Sequence, residues 1–136
     1  MKSLSILLID DDVIERMKFR QVCKKFKFKC SIIEAENGNE ALDYLNNEQN
    51  SFHIIISDLQ MPKMNGLELL KKIRISKRFK NIPMIIMSNS EDKNDLKECY
   101  KLGISGYFTK PSSFSKYAKK VKAVLKYWNR NELIYN

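Results

Sequence analysis

Five short apolar runs, spaced along the chain by stretches of helical periodicity, constrain the fold more than any other feature. The runs are LSILLID (4–10), FKCSIIEA (28–35), FHIIIS (52–57), IPMIIMS (82–88) and GYFT (106–109). Each is short enough for a strand, and the central ones are apolar almost throughout rather than at every second residue. That pattern belongs to strands covered on both faces. Between the runs, apolar residues recur three and four apart: Phe19, Val22, Cys23 and Phe26; Ala41, Leu42 and Leu45; Leu69, Leu70 and Ile73; Leu96, Cys99 and Tyr100. The longest stripe, Phe114, Tyr117, Ala118, Val121, Val124, Leu125 and Trp128, marks one buried face of a last helix. Five alternations of strand and helix predict an α/β fold, a doubly wound five-stranded parallel sheet. Helix boundaries follow from local chemistry: Asp12 caps the first, Gly38-Asn39 opens the second, Asn65-Gly66 opens the third and Gly103 ends the fourth.

A chain of 136 residues is one domain's length, so a single domain over 1–136 is expected, with its core at 4–128, a short tail at 129–136 and no output domain. No apolar run approaches the roughly 18 to 20 residues of a bilayer span, and Met1-Lys2 leads straight into a strand, so membrane insertion and a signal peptide are not expected and the location is cytoplasmic. Cys23, Cys30 and Cys99 are odd in number and widely spaced, which reads as reduced thiols. His53, the one histidine, lacks metal-binding partners and reads as a strand-start residue. The net charge of +9 sits largely in KKFKFK, KKIRISKRFK and KYAKKVKAVLK. Many of those lysines fall on solvent-facing helix positions, so a charged surface is favoured over nucleic-acid binding.

In an open parallel sheet, ligands bind beyond the carboxyl ends of the strands. Those ends carry Asp10-Asp11-Asp12 after the first run, Asp58 after the third, Ser88 after the fourth and Lys110 after the fifth. Clustered carboxylates repel one another and call for a cation, and Mg2+ takes one or two carboxylates together with waters and a phosphate oxygen. Lys110 can neutralise an anion beside that ion, and Ser88 adds a neutral donor. The set suits phosphoryl transfer, with Asp58 as nucleophile.

The segments LLIDDD, IIISDLQMPKMNGLELLKKIR, IPMIIMS and GISGYFTKP resemble the receiver domains of two-component response regulators, over about Leu4 to Trp128. The resemblance implies a flavodoxin-like strand order 2-1-3-4-5, an order for which a receiver is a standard example. It implies Asp58 as phosphoacceptor, Asp10 and Asp11 as the Mg2+ acids, the Gln60 backbone carbonyl as a further ligand, Ser88 as switch hydroxyl, Tyr107 as switch aromatic and Lys110 as site lysine. Asp12 matches no ligand position and remains a helix cap. The implied partner is a histidine kinase, and YKLGISGYFTKPSS with FSKYAKKVKAVLKYW is similar to small receivers that partner phytochrome-type kinases. In the implied mechanism Ser88 moves toward the phosphoryl group, Tyr107 turns inward behind it, and the face made by the fourth helix, fifth strand and fifth helix changes shape. The downstream protein is unspecified. A homodimer through that face is implied by the family's habits and opposed by Lys116, Lys119 and Lys120. The chain would be a phosphoacceptor that gains and loses its own phosphoryl group, not a turnover enzyme.

Four residues depart from the pattern. Asn89 stands where a small residue is usual, Asn65 replaces an Asp, and Gln60 and Ser90 hold the positions flanking the attacking water, so the phosphoryl lifetime is left open. One rival is a haloacid-dehalogenase-like Mg2+-dependent phosphatase, from Asp10-x-Asp12 with Ser88 and Lys110. It needs an acidic pair after the lysine, and only Glu132 follows. A second is a basic nucleic-acid or scaffold module with an inactive acceptor site.

Overall fold

Strand and helix alternate as the apolar runs require. The computed structural model describes residues 3–134, in the order β1 (Leu4–Ile9), α1 (Val13–Lys25), β2 (Cys30–Ala35), α2 (Gly38–Asn46), β3 (Ile54–Ser57), α3 (Gly66–Ile75), β4 (Met84–Ser88), α4 (Lys93–Lys101), β5 (Gly106–Thr109) and α5 (Phe114–Asn129). All four strand pairings are parallel and the order is β2-β1-β3-β4-β5. A parallel neighbour can be reached only by crossing back over the sheet, and the helices supply those crossings on both faces.

Two apolar clusters follow, one on each face. Leu7, Ile9, Ile55, Ile86, Leu69 and Ile73 belong to one, and Ile6, Leu8, Ile54, Ile85, Phe19 and Val121 to the other. Successive residues of β1 thus point into opposite clusters, which is why its run is apolar throughout. The edge strands β2 and β5 are largely half-buried, whereas β3 and β4 are buried along their length.

The predicted caps are in place. The Asp12 carboxylate accepts from Ile14 N, Asn37 from Glu40 N just ahead of Gly38, and Asn65 from Glu68 N in a reciprocal capping box. Gly103 takes φ 97° directly after α4, a left-handed geometry that glycine adopts without strain. His53 is tied to the ladder: its backbone N–H donates to Ser5 O at 2.9 Å, and its Nδ1 accepts from Ser5 N at 2.9 Å.

Three strands begin two residues later than their apolar runs. Phe52 and Ile82 are buried but precede the ladder, and Pro83, which has no N–H to give, stands just before β4. The stripes on α4 and α5 also need correction. Of Leu96, Cys99 and Tyr100 only Cys99 is buried, Tyr100 being 54% exposed, and Phe114 at the start of α5 is 39% exposed. Helical spacing marked a face there, yet Leu96, Tyr100 and Phe114 stay exposed. No described helix is long and apolar enough to cross a membrane.

Candidate functional site

Register brings the acids together. Ile9 of β1 lies opposite Ser57 of β3, so the next residues, Asp10 and Asp58, emerge side by side. The ladders continue one step past the strands, Asp10 N donating to Ala35 O at 3.0 Å, Asp58 N to Ile9 O at 2.8 Å and Lys110 N to Ser88 O at 2.8 Å. Those bonds fix the backbones from which the three charged side chains project.

The Lys110 ammonium lies 2.7 Å from Asp10 Oδ2 and 3.5 Å from Asp58 Oδ2. The side chains of Lys110 and Asp10 are almost wholly buried and that of Asp58 is 14% exposed. Burial, reinforced by the Asp10 charge, raises the Asp58 carboxyl above its ordinary value, although Lys110 and the Leu59 N–H pull the other way. Burial alone would lower the Lys110 ammonium, but its bond to Asp10 and the charges of Asp10, Asp58 and Glu15 outweigh that and raise it. Lys110 is therefore a cation set among several carboxylates.

Carboxylate oxygens of Asp10, Asp11 and Asp58 all lie within 4.8 Å of one another, from a buried, an exposed and a half-buried residue respectively. A hard divalent cation fits this all-oxygen set, which would relieve its mutual repulsion while leaving the Asp11 side open to solvent. A cavity of about 20 Å³, room for roughly one water, lies beneath, lined in part by Asp10, Asp58, Lys110 and Glu15.

The loop behind Asp58 is held tightly. Asp58 Oδ1 accepts from Leu59 N at 2.7 Å, and Ser57 Oγ donates to the Asp58 carbonyl at 2.7 Å. A Cβ on Gly66 would sit 2.4 Å from that same carbonyl, so only glycine lets α3 begin so close to the acceptor. Gln60 lies exposed on this loop.

Ser88 and Tyr107 form a second group. Ser88 is buried, and its Oγ accepts from Ser90 N at 3.1 Å. The Tyr107 hydroxyl donates to Ser90 O at 3.0 Å, and its ring packs against the core cluster of Leu69 and Ile86. That bond anchors the ring at the β4–α4 loop. Ser90 Oγ in turn donates to Asp95 Oδ2 at 2.8 Å, reaching into α4. Asn89 is exposed.

Two contributors escaped the sequence reading. Glu15 Oε2 lies 3.8 Å from the Lys110 ammonium, buried and without a hydrogen-bond partner among the described residues. Asp12 and Glu15 have the spacing of a capping box, yet Glu15 turns toward Lys110 and its Oε1 accepts from Lys18 at 3.3 Å. An acid one helical turn beyond the Asp cluster was the available signal. Arg16 is the other: its guanidinium donates to Asp10 O at 2.5 Å and to Glu34 Oε1 at 2.9 Å, bracing the chain where β1 ends.

The family model for the response regulator receiver domain matches residues 6–122. Chemotaxis protein CheY1 of Helicobacter pylori is 31% identical over 122 residues, covering 90% of this chain and 97% of that protein. Among solved structures, the phosphorylated cyanobacterial phytochrome response regulator RcpA superposes with a TM-score of 0.91 at 24% identity, covering 97% of this chain and 99% of that one. The Mn2+-bound form of response regulator Rcp1 gives a TM-score of 0.88 at 25% identity, over 96% and 99%.

Proposed function

This chain belongs to the family of response regulator receiver domains of two-component signalling, and from that premise we propose that Asp58 accepts a phosphoryl group from a histidine kinase. The observation that carries the proposal is Lys110, whose ammonium reaches Asp10 and Asp58 together across the sheet edge. In the transfer, Asp58 Oδ2 attacks phosphorus, the bond to the kinase's imidazole nitrogen breaks, and Lys110 balances the charge that moves onto the aspartyl phosphate. Asp10, Asp11, Asp58 and the Gln60 carbonyl would hold Mg2+. That ion, when bound, supplies the positive charge that lets three carboxylates and a phosphoryl group share one pocket. The Mn2+-bound Rcp1 structure, at 25% identity, supports a divalent site.

After transfer, Ser88 donates to a phosphoryl oxygen and releases its bond with Ser90 N. Ser90 also accepts from Tyr107 and donates to Asp95, so the change passes to β5 and α4. The modification biases two arrangements of this loop through the different contacts it makes in each. Output then goes through a partner bound at the α4–β5–α5 face. Likeness in fold to RcpA, a phytochrome response regulator, motivates a phytochrome-type kinase as donor. Self-pairing on the same face is opposed by the exposed Lys116 and Lys119, while Lys120 is engaged with Thr109 O at 2.7 Å.

Incubation with Mg2+ and acetyl phosphate is expected to give one phosphoryl adduct by intact mass, removed by hydroxylamine and absent from Asp58→Asn. Persistent stoichiometric labelling of Asp58→Asn would place the acceptor elsewhere.

A further inference from the structure

The sheet edge opposite the acid pocket carries a feature the phosphoryl chemistry does not use. After α1, Lys27 takes φ 55°, and the chain reverses so that Phe28 N donates back to Cys23 O at 3.0 Å. This tight return brings Cys30, the first residue of β2, back toward Cys23 in the last turn of α1. Both belong to the cluster around Phe19 and Val22, and both line one open depression with Arg20, Lys24 and Lys27.

The two thiols differ in a way that divides labour. Cys30 is half-buried and donates weakly to Phe28 O at 3.8 Å, whereas Cys23 is buried. The Cys30 sulfur beside it pushes the Cys23 thiol up, and Cys23 in turn holds the Cys30 thiol below its ordinary value. Cys99, by contrast, is buried with its thiol pushed up to about 11, chiefly by burial.

We propose that Cys23 and Cys30 form a redox site at which a hydroperoxide converts the free thiol pair to an intrachain disulfide, Cys30 attacking and Cys23 resolving. With hydrogen peroxide, the Cys30 sulfur attacks one oxygen, the O–O bond breaks, and the departing hydroxide takes the thiol proton and leaves as water. The resulting sulfenic acid is attacked by the Cys23 sulfur; the S–S bond forms, the S–O bond breaks, and a second water leaves with the Cys23 proton. Two thiols supply two electrons, one hydroperoxide is reduced, and an added dithiol reverses the change. The disulfide would tie the end of α1 to the start of β2 across a loop of basic residues. The proposal does not rest on the phosphoryl-transfer reading.

The test uses the full chain, pre-reduced, exposed to hydrogen peroxide, then denatured, alkylated and mapped by mass spectrometry. The expected product is a single-chain linkage between the peptides carrying Cys23 and Cys30, with Cys99 alkylated and the linkage lost on adding dithiothreitol. Cys23→Ala should leave a Cys30 sulfenic acid that dimedone traps, and Cys30→Ser should leave Cys23 alkylatable. The idea is overturned if both thiols of the untreated sequence stay alkylatable after peroxide, if Cys30 passes to sulfinic acid without linkage, or if the linkage joins two chains. Because the mapping is decisive on the unsubstituted chain, a variant that failed to fold would not shelter the proposal.

Discussion

Helices α4 and α5 flank the same strand, yet they are held by different forces. Five residues of α5, Tyr117, Ala118, Val121, Val124 and Leu125, are buried, against one, Cys99, in α4. What fixes α4 instead is polar and local: the Asp92 cap on Asn94 N, the Ser90–Asp95 bond and the Tyr107 bond to Ser90 O. Apolar burial is worth roughly 25 cal/mol per Å² and has no preferred direction, whereas a hydrogen bond nets only about 1 kcal/mol and depends on geometry. A helix secured the second way can shift when one bond is redirected. Burial thus anchors α5, whereas a few directed bonds near Ser88 anchor α4.

The widest separation between the two should appear on truncation. Leu125→Ala is expected to cost about 2–4 kcal/mol, as buried leucines do, while Leu96→Ala costs less than about 1 kcal/mol because its side chain is 37% exposed. Urea unfolding measures both, and equal losses would break the comparison. Tyr107→Phe removes the hydroxyl bond to Ser90 O and should cost about 1 kcal/mol. Amide exchange should quicken in the β4–α4 loop and α4 and stay unchanged in α5; a uniform increase would show that the two helices open together.

The smallest shift separates the pocket from both helices. Burial raises the Asp58 carboxyl, so the folded chain keeps that proton to higher pH than the unfolded chain does. Stability therefore falls as pH rises through the window between the two values, and ionised Asp58 weakens the metal-free fold at neutral pH. Asp58→Asn is expected to raise metal-free stability at pH 7 by up to about 1 kcal/mol, with the gain shrinking on acidification and exchange in α4 and α5 unaltered. Thermal melts across pH, recorded in a chelator, give the answer.

The same contrast explains what the sequence could reveal. Alternating runs disclosed the strands and the doubly wound architecture because burial on both faces leaves an apolar signature. Strand order came only with the family resemblance, since pairing is tertiary. On α5 the stripe was buried as its spacing suggested, but Leu96, Tyr100 and Phe114 have the same spacing and remain exposed. Periodicity shows that a face exists, not that anything packs on it. At the pocket, Asp10, Asp58 and Lys110 were legible as strand-end residues, and they meet. Glu15 was hidden because a helix-start acid ordinarily serves its own helix. The bonds to Ser90 N and O were hidden because backbone partners carry no residue signature.

The pairing of Lys110 with Asp10 spans 100 positions of chain. During synthesis the acids leave the ribosome long before their counter-charge, and any fragment cut ahead of β5 keeps the carboxylates without the ammonium. Neutralisation of the acid pocket by Lys110 therefore waits for the fifth strand, and a copy clipped ahead of β5 keeps its carboxylates without that counter-charge.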